Sequence, residues 1–495
     1  MKILLIDPPF YRFIGYYNRY FPLGLAYLAA VLRNEGHGVL IYDADCNVNP
    51  SKMDFISLED SYPHYLKSVI DKTHPIWQDA KKVIADFNPD VVGITVWTTF
   101  AASSFTLASL CKDYNKNLPV IMGGPHISIK YDEVMKICPD VDFLVRGEGE
   151  GTIAELIKAI DKNQRDFKNI NGISYRQKGV IIHNPPAKFI ADLDNVPFPA
   201  RDLLLNKASY NSEDMGLLMT SRGCPYACSY CATSIWERKV RYRSIDNVIA
   251  EIKHVIHQYD TRQFTFKDDS FTVNRKRVME FCDKLIKEKI KISWDCNTRV
   301  NLVDEELLLN MKKAGCNSIK VGIETGSERI LGLINKKISL EDCRRAAKLF
   351  KKAGIHWTGY FMMGLPSETQ EEMYQTLQFM KELDPDFASF SVYEPFPGTE
   401  LFNIGIEKGL VQEERSLEDF YTISPKYYYV KDMNRRVDTL SNEEFGKIEN
   451  DIKREFHKFN RKPTKIFKRV KSRSRSYISS PVMVWDDFRK FLSWF

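Results

Sequence analysis

Three cysteines in one short segment have the spacing of iron–sulfur ligands. Cys224, Cys228 and Cys231 form a CxxxCxxC pattern directly after the apolar stretch 216–220. Three thiolates on one loop can hold three irons of a 4Fe–4S cluster, which leaves the fourth iron open to a substrate or a cofactor. The alternative, a structural zinc site, requires a fourth ligand, and the neighbouring sequence offers none.

The seven remaining cysteines are scattered singly, and we expect most of them to be small buried apolar residues. The first residues run straight into a strand pattern instead of a secretory signal, so the reducing cytoplasm is the expected compartment. The sequence has no uninterrupted apolar run of about 18 residues, so no membrane-spanning helix is expected. Its 495 residues are too many for one core and suggest two or three domains.

The positive charge is concentrated near the C-terminus. Residues 451–475 contain 11 Lys or Arg and 2 Asp or Glu, whereas the whole chain has a net charge of +6. Several Trp and Phe residues follow this basic run instead of alternating with it, which favours peripheral contact with an anionic membrane over nucleic-acid binding. The alternative is a solvated, partly disordered extension.

Residues 1–165 alternate between short β-branched runs and helical patterns, which is typical of an α/β, doubly wound Rossmann-like domain. The predicted strands are Lys2–Asp7, Val39–Asp45, Asp90–Trp97, Pro119–Gly124 and Asp142–Gly147. Ligands of such sheets bind at the carboxyl ends of the strands. The GxGxxG and GxxxxGK[ST] motifs are absent, so a dinucleotide is not expected there.

Residues 213–410 repeat the strand–helix pattern six times, which predicts a partial (β/α)6 barrel of the TIM type. The predicted strands are Leu217–Thr220, Gln263–Lys267, Ile292–Asn297, Ser318–Ile323, His356–Met363 and Phe387–Val392. The cysteine segment follows the first of them, where a barrel places its chemistry. We expect residues 166–212 to be a linker and residues 411–495 to be a mostly helical C-terminal region. A helix over Ser441–Asn460 is predicted from the capping-box spacing of Ser441 and Glu444.

With Tyr230 just before the last cysteine, residues 1–410 resemble the cobalamin-dependent radical S-adenosylmethionine (SAM) enzymes. The resemblance implies three cofactors: a 4Fe–4S cluster on Cys224, Cys228 and Cys231, SAM on its unique iron, and cobalamin in the N-terminal domain. It also implies an electron donor such as flavodoxin or ferredoxin. In the family, reductive cleavage of SAM yields a radical that takes a hydrogen atom from an unactivated carbon.

The family's SAM-binding positions match residues at the carboxyl ends of the predicted barrel strands. An acidic residue, Asp268 or Asp269, would meet the ammonium group of SAM. Arg299 would lie near its carboxylate, and Glu324 would accept from the ribose hydroxyls. Tyr230 belongs to the same pocket, and the backbone at Met363 and Gly364 would meet the adenine edge. Solvated acidic turns and rim ion pairs are the alternative interpretations of these charged residues.

The family's cobalamin site matches strand ends in the N-terminal domain. The residues that the resemblance assigns to cobalamin are Thr95, Thr98, Gly123, Gly124, His126, Glu148 and Gly149. The DxHxxG motif, which supplies a histidine to cobalt in other cobalamin proteins, is replaced by Asp7-Pro8-Pro9-Phe10. The resemblance therefore implies cobalamin bound without a histidine from that loop, or a domain that has lost cobalamin. His126 is more easily explained as a turn or packing residue than as a cobalt ligand.

Both modules together predict methyl transfer from SAM to an unactivated carbon or phosphorus centre of a small-molecule or lipid substrate. Cyclisation, rearrangement or oxidation, for example of a porphyrin-like substrate, is the alternative within the family. Methylthiolation of transfer RNA would need a second cluster on Cys46, Cys111 and Cys138, which do not look grouped. A non-enzymatic cobalamin or redox sensor acting through the basic tail is a further alternative. We expect a cytoplasmic protein with peripheral contact at the inner membrane face.

Overall fold

The computed structural model describes residues 1–470 except residues 17, 19, 48–60, 233–237 and 432–436. The described residues form two compact units. The first unit contains residues 1–215 and 413–429, and the second contains residues 216–412 and the described part of 430–489. The predicted basic tail beyond residue 470, with its Trp and Phe residues, lies outside the described residues.

The first unit is built on a seven-stranded sheet in the order β2-β1-β3-β4-β5-β6-β7. The strands are β1 (Lys2–Asp7), β2 (Gly38–Asp43), β3 (Val91–Thr95), β4 (Val120–Gly123), β5 (Phe143–Val145), β6 (Ile173–Gln177) and β7 (Val180–His183). Strands β1 to β5 pair in parallel, and β6 and β7 extend the sheet as an antiparallel hairpin. The order reverses between β1 and β3, and ligands bind at such a switch point.

Helices connect the parallel strands of the first unit. They are α1 (Leu23–Asn34), α2 (Tyr62–Ile70), α3 (Pro75–Phe87), α4 (Ala101–Tyr114), α5 (Pro125–Ile137) and α6 (Gly149–Asp161). Helix α4 is apolar or small on nearly every side and is buried over most of its length. The predicted alternation of strands and helices is therefore present in an α/β sheet.

The second unit contains a six-stranded sheet in the order β15-β14-β13-β12-β11-β8, with every pair parallel. Its strands are β8 (Leu217–Leu218), β11 (Gln263–Phe266), β12 (Ser293–Thr298), β13 (Cys316–Glu324), β14 (His356–Met363) and β15 (Phe387–Val392). The short strands β9 (Ser221–Arg222) and β10 (Arg241–Tyr242) form a separate antiparallel pair. Because neighbouring strands follow one another and crossovers are right-handed, the connecting helices lie on one face of the sheet.

The helices of the second unit begin at side chains that accept a hydrogen bond from the first turn. The helices are α7 (Ile245–Tyr259), α8 (Arg275–Lys287), α9 (Glu305–Lys313), α10 (Glu328–Leu333), α11 (Leu340–Ala353), α12 (Gln370–Leu383) and α13 (Glu400–Glu407). Their capping residues are Ser244, Asn274, Asp304, Ser327, Ser339, Thr369 and Thr399. Such a cap stabilises a helix by about 1 kcal/mol, so the sequence sets where each helix starts.

Two further helices come from the C-terminal part of the chain. Helix α14 (Leu417–Thr422) belongs to the first unit and α15 (Asn442–Asn460) to the second. The capping box of Ser441 and Glu444 is present, which confirms the predicted helix. Asn460 both accepts from and donates to the backbone of Ala388, so the end of α15 satisfies polar groups on the edge strand β15.

Among the described residues, no helix is both long enough and apolar enough to cross a membrane.

Candidate active site

The cysteine loop leaves the sheet of the second unit at its carboxyl edge. Strand β8 leads into β9, Gly223 has a left-handed backbone (φ +94°), and Cys224 follows. Cys224, Cys228 and Cys231 are all partly exposed and free of disulfides. The backbone N–H of Cys231 donates to the Cys228 carbonyl at 3.1 Å, which folds the second half of the loop into a turn. Burial and, secondarily, the negative charges of Asp269 and the other two thiolates raise the pKa of Cys224.

The donor set fits a cluster better than a single metal ion. Among the described residues, no three His, Cys, Asp or Glu side chains are arranged to share one ion. Thiolates on a 4Fe–4S cluster each bind a different iron, so they need not converge on one point, whereas the four ligands of zinc must do so. Three mutually interacting thiols without a fourth therefore suit a cluster with one open iron.

Asp268 holds the strand that leads into this loop. Its carboxylate accepts from the Thr220 backbone N–H at 2.7 Å, the Thr220 hydroxyl at 2.5 Å and the Ser221 hydroxyl at 2.7 Å. The residue is only 1% exposed. With three protein donors already bound, Asp268 acts as an anchor of the loop, and its capacity for a further ligand is low.

Asp269 is exposed and lies beside Gly223 and Cys224. Partial desolvation of its carboxyl group and the charge of Asp268 raise the pKa of Asp269 to about 6, although a hydrogen bond from the Gly223 backbone opposes this. A cationic group next to the cysteine loop would stabilise the charged form of this carboxylate. Of the two aspartates predicted from the sequence, Asp269 is thus the one placed to meet an ammonium group.

A buried ion pair connects the cysteine loop to the end of β13. The Lys336 ammonium donates to Glu324 Oε1 at 2.5 Å and to the Tyr230 hydroxyl at 2.8 Å, and Tyr230 itself donates to Glu324 Oε1 at 2.8 Å. The register of β13 shifts between Gly322 and Glu324, where Glu324 takes a left-handed backbone (φ +70°). A side chain at Gly322 would collide with the Glu324 carboxylate and the Lys336 ammonium, so glycine is needed for this close approach.

Arg299 places a positive charge against one cluster thiol. Its Nη1 lies 3.4 Å from Cys228 Sγ, its Nη2 donates to the Lys336 carbonyl, and its guanidinium lies 3.8 Å from the centre of the Tyr226 ring. Its Nε is buried and has no hydrogen-bond partner among the described residues. Arg299 therefore puts a positive charge beside a sulfur that would bind an iron of the cluster.

The backbone at the end of β14 is held by a glutamate that the sequence analysis did not single out. Glu368 Oε2 accepts from the backbone N–H groups of Gly364 at 2.6 Å and Leu365 at 3.1 Å. Gly364 has a left-handed backbone (φ +82°), and the Met363 side chain is fully buried. Gly364 is buried as well, and the Met363 carbonyl accepts from the Tyr393 backbone N–H at 2.8 Å, so the adenine contact at these two positions stays a prediction.

Sequence reasoning missed Lys336 and Glu368 for different reasons. Lys336 is followed by Lys337, and such a pair of lysines is expected at an exposed surface. Only the fold shows that Lys336 is buried beside Glu324. Glu368 comes four residues after Gly364, a spacing that could have suggested an acidic side chain returning to cap the turn.

In the first unit, the ends of β3 and β4 meet closely. Gly124 has φ +109°, and an added Cβ would lie 2.9 Å from the Val96 carbonyl and 3.1 Å from Thr95 Oγ1. Gly123 pairs with Thr95 in the sheet. The structure thus brings Thr95, Gly123 and Gly124 together at the carboxyl edge, next to the switch point.

His126 is buried in the first unit beside this edge. Its Nδ1 lies 3.2 Å from the Thr98 hydroxyl, its ring meets the edge of Phe420, and it is 1% exposed. Burial, with a smaller effect of Lys130, lowers the pKa of His126 to about 3. These contacts agree with a packing role.

Glu148 and Gly149 have structural contacts of their own. Glu148 Oε2 accepts from the Ile190 backbone N–H at 2.7 Å, and an added Cβ on Gly149 would lie 3.1 Å from Leu28 Cδ2. Both contacts fix the start of α6 within the first unit, so the structure does not group these two residues with Thr95 and Gly123 through any described contact.

The loop after β1 meets a buried acidic group at the end of β2. Asp45 accepts from the backbone N–H groups of Phe10 at 2.6 Å and Arg12 at 2.9 Å, and Tyr210 donates to Asp43. Burial raises the pKa of Asp43 to about 6. The loop that stands in place of DxHxxG is therefore fixed by carboxylates and presents no histidine.

The switch point of the first unit has features that suit a large planar ligand with a polar tail. Trp97 lies two residues after β3 and is 51% exposed, which gives an apolar surface at the carboxyl edge. The Thr95 side chain adds a hydroxyl, and Gly123 at the end of β4 and Gly124 after it add close backbone access. The residues present therefore fit cobalamin bound without a histidine ligand from the first loop.

Two protein-family models match this chain, one within each unit. Residues 218–380 match the radical SAM superfamily, and residues 14–157 match the B12 binding domain.

Curated relatives cover most of the chain. The uncharacterized methyltransferase PH0819 of Pyrococcus horikoshii is 37% identical, over 83% of this chain and 84% of the relative. The anaerobic magnesium-protoporphyrin IX monomethyl ester cyclase of Rubrivivax gelatinosus is 32% identical, over 70% of this chain and 63% of the relative. The cytidylyl-2-hydroxyethylphosphonate methyltransferase of Streptomyces wedmorensis is 28% identical, over 84% of each.

Solved structures share the fold at low identity. The radical SAM methyltransferase TsrM of Kitasatospora setae, with cobalamin and a [4Fe-4S] cluster bound, is 19% identical over 86% of this chain and 84% of the other, with a TM-score of 0.63. The cobalamin-dependent radical enzyme OxsB with aqua-cobalamin bound is 20% identical over 89% and 58%, with a TM-score of 0.60. The chain belongs to the radical SAM superfamily, in the group of enzymes that carry a B12 binding domain and use a 4Fe–4S cluster, SAM and cobalamin.

Proposed function

We propose that the protein transfers a methyl group from SAM to an unactivated carbon or phosphorus centre of a small molecule. The observation that carries this proposal is the pairing of an open three-cysteine loop with a cobalamin-type sheet in one chain. Two relatives are named methyltransferases, one of them acting on a phosphonate.

When bound, the cluster supplies the electron that cleaves SAM, and cobalamin serves as the carrier of the methyl group. Cys224, Cys228 and Cys231 would hold the cluster, and the guanidinium of Arg299 lies beside Cys228 Sγ. Asp268 fixes the loop through Thr220 and Ser221. These contacts hold the cysteine loop in place before a cluster is bound, so that little reorganisation of the loop would be needed on binding.

The remaining residues of the second unit orient SAM. Asp269 would receive its ammonium group, and Glu324, whose carboxylate is held by Lys336 and Tyr230, would accept from the ribose hydroxyls. The backbone at Met363 and Gly364, which Glu368 supports, would meet the adenine. Arg299, which lies beside Cys228 Sγ, would pair with the carboxylate of SAM.

The first unit would hold cobalamin at its switch point. Thr95 and Gly123 offer a hydroxyl and open backbone to its nucleotide tail, and Thr98 bonds His126 beside them. His126 packs beside these loops, whereas Glu148 and Gly149 would meet cobalamin from the start of α6, which their contacts with Ile190 and Leu28 hold in place. We further propose the division into a cobalamin domain (1–165), a linker (166–212), a partial (β/α)6 barrel (213–410) and a C-terminal region (411–495). In the structure the β6–β7 hairpin of this linker extends the sheet of the first unit, and residues 413–429 of the C-terminal region belong to the first unit.

The protein would work in the cytoplasm with a reducing partner such as flavodoxin or ferredoxin, because cluster thiolates and a reduced cluster need a reducing compartment. Peripheral membrane contact stays a prediction that depends on the residues after 470. Liposome flotation of the full chain and of a chain ending at residue 460 tests it, and equal behaviour would contradict it.

The second candidate is a cobalamin-dependent cyclisation or oxidation, because one relative is named a magnesium-protoporphyrin ester cyclase. Methylthiolation is less well supported. Cys111 and Cys138 are buried, and burial raises the pKa of each to about 12, which makes them poor cluster ligands.

The test uses the anaerobic enzyme with cobalamin, reductant, methyl-labelled SAM and a panel of phosphonates, carboxylates and porphyrins. Label in a product supports methyl transfer, and a product of lower hydrogen content without label supports the cyclase alternative. A triple Cys224→Ala/Cys228→Ala/Cys231→Ala variant is the control. If no compound gains label while SAM is still cleaved, the methyl-transfer proposal is wrong.

A further inference from the structure

Part of the C-terminal region folds onto the first unit. Residues 413–429, which we call the return segment, belong to the first unit, whereas the described residues on either side of them belong to the second. Helix α14 of this segment contacts α2 and α4, and the turn Pro425–Tyr427 contacts the turn Thr98–Phe100. The turn Thr98–Phe100 follows β3 at the carboxyl edge of the sheet, where ligands of such sheets bind. The return segment therefore lies against a loop of the proposed cobalamin site.

A buried carboxylate on α5 holds both ends of the return segment. Glu133 Oε2 accepts from the Arg415 backbone N–H at 3.2 Å, and Glu133 Oε1 accepts from the Tyr429 hydroxyl at 2.7 Å. Lys130 Nζ lies 3.2 Å from Glu133 Oε2 and 5.1 Å from the centre of the Tyr429 ring. Because a buried carboxylate is costly without such partners, these contacts fix where the segment begins and ends on the first unit.

Aromatic packing holds the middle of the return segment. Phe420 of α14 is fully buried, and its ring meets the rings of Phe105 and His126 edge-on, with ring centres 5.3 Å and 5.9 Å apart. Tyr428 packs on Phe420 with ring centres 4.7 Å apart. Edge-to-face pairs at such distances are favourable beyond the area that they bury. Phe420 thus restricts the position of the His126 ring.

The His126 ring passes this restriction on to the loop after β3. Its Nδ1 lies 3.2 Å from the Thr98 hydroxyl, and the His126 backbone N–H donates to the Val96 carbonyl at 3.2 Å. Close-packed interiors transmit a displacement from one side chain to the next. Removal of the Phe420 ring would therefore free the His126 ring to move and would weaken its hold on Thr98.

We propose that the return segment positions the loop after β3 for cobalamin, with Phe420 acting through His126 on Thr98. The proposal rests on the proposed function, because it takes the loop after β3 as part of the cobalamin site. Phe420 is then a positioning residue that does not touch the cofactor. Residues 1–165 hold only part of what the cobalamin site needs, and the remainder comes from a segment that follows the barrel in the chain.

The test measures cobalamin binding and does not depend on methyl transfer. Aquacobalamin is equilibrated by dialysis with the anaerobic, cluster-loaded full chain, and bound cobalt is measured per chain. The variants are Phe420→Ala, Phe420→Leu, which keeps a large apolar side chain, and Tyr429→Phe, which loses only the hydroxyl that donates to Glu133. Thermal unfolding verifies that each variant is folded at the temperature of the measurement.

Two control variants separate positioning from general effects. Tyr374→Phe also removes a tyrosine hydroxyl that donates to a carboxylate, Asp451 Oδ2 at 3.2 Å, but it lies in the second unit. Gly179→Ala strains the backbone between β6 and β7 of the first unit (φ +80°), outside the return segment and the loop after β3. Both controls should bind aquacobalamin as the wild type does.

We expect the affinity for aquacobalamin to fall about tenfold in Phe420→Ala, as is typical when a residue that supports binding groups from behind is removed. Phe420→Leu should recover most of this loss. Tyr429→Phe should lose about threefold, because one anchoring hydrogen bond is removed. Wild-type affinity in both Phe420→Ala and Tyr429→Phe would overturn the proposal. So would an equal loss in Gly179→Ala, because the effect would then be one of stability alone. If Phe420→Ala does not fold, Tyr429→Phe decides.

The double variant Phe420→Ala/His126→Leu tests the path through His126. His126→Leu alone removes the contact with Thr98 and should also weaken binding. Because both substitutions break one chain of contacts, the double variant should bind about as tightly as the weaker of the two single variants. Losses that multiply would show that Phe420 does not act through His126. A wild type that binds no aquacobalamin would overturn the proposed function together with this proposal, whereas a wild type that binds it and variants that bind it equally well would overturn this proposal alone.

Discussion

Substitution of Lys336 by methionine tests whether the ion pair next to the cysteine loop is as buried as the structure indicates. The side chains of Lys336 and Glu324 are 7% and 10% exposed, and their charged atoms are 2.5 Å apart. Methionine keeps the length and apolar stem of lysine but leaves the Glu324 carboxylate without a counter-charge. Removal of one partner of such a pair costs about 3–5 kcal/mol, because the remaining charge stays buried.

The loss should be visible in thermal unfolding of the second unit. For a unit of this size, 1 kcal/mol corresponds to about 2–4 °C, so the melting temperature should fall by roughly 6–20 °C. Scanning calorimetry under anaerobic conditions gives this shift. The double variant Lys336→Met/Glu324→Gln should recover more than half of it, because the buried charge is then removed.

Lys313→Met is the matched control, since Lys313 is exposed, and it should change stability by less than about 0.5 kcal/mol. A Lys336→Met protein that unfolds within about 0.5 kcal/mol of the wild type would refute the reasoning. So would a double variant that is no more stable than the single one, because the Glu324 charge would then not be the cause of the loss.

Three further experiments with single substitutions test separate contacts of the structure. Burial raises the pKa of Glu368 to about 8, so the folded protein keeps a proton that the unfolded chain releases, and stability should fall as the pH rises from about 4.5 to about 8. Glu368→Gln should flatten this part of the profile in urea unfolding, and an unchanged slope would contradict it. Gly124→Ala should destabilise the first unit by about 1–3 kcal/mol through backbone strain, and further because the added Cβ would meet neighbouring atoms. Gly179→Ala is the control, because it has the same kind of strain (φ +80°) but no atom near the added Cβ. Equal losses of stability in urea unfolding would show that the close approach at Gly124 is absent. Asp268→Asn should lower iron incorporation because it weakens the anchor of the cysteine loop. Asp269→Asn should retain the iron and weaken SAM binding, measured by equilibrium dialysis. The reverse pattern would make Asp269 the anchor and Asp268 the SAM ligand.

The sequence was sufficient to predict features that depend on local pattern. The CxxxCxxC spacing locates the loop, and the alternation of β-branched and helical segments predicts the parallel strands of both sheets but does not assign the antiparallel hairpin of β6 and β7 to the first sheet. Candidate site residues could be predicted among the polar residues at strand ends, because parallel sheets place their ligand-binding and catalytic residues at the carboxyl edge. The capping box at Ser441 predicted a helix whose start the structure confirms.

Features that depend on tertiary placement could not be predicted in this way. Asp268 and Asp269 are adjacent and chemically identical. Only the fold shows that Thr220 and Ser221 donate hydrogen bonds to the Asp268 carboxylate. Lys336 has no sequence signal, because its burial arises from the register shift that turns Glu324 toward it.

One face of the second unit's sheet carries the polar residues Ser293, Asp295 and Asn297 of β12. The alternation is visible in the sequence, but the sequence does not show what this face does. Its meaning depends on which side of the sheet the helices cover, and a single strand does not reveal that. Asp295 and Lys320 lie 25 residues apart in the chain, and strand pairing brings them into contact.

The central claim is that one chain holds both cofactors, and the metal content tests it most directly. The protein is produced anaerobically with cobalamin supplied, and iron and cobalt are measured per chain. We predict about four irons and one cobalt for the wild type, and cobalt without iron for the triple cysteine variant. Four irons without cobalt would contradict the assignment of the first unit and remove the basis for methyl transfer through cobalamin. Cobalt without iron in the wild type would contradict the assignment of the cysteine loop.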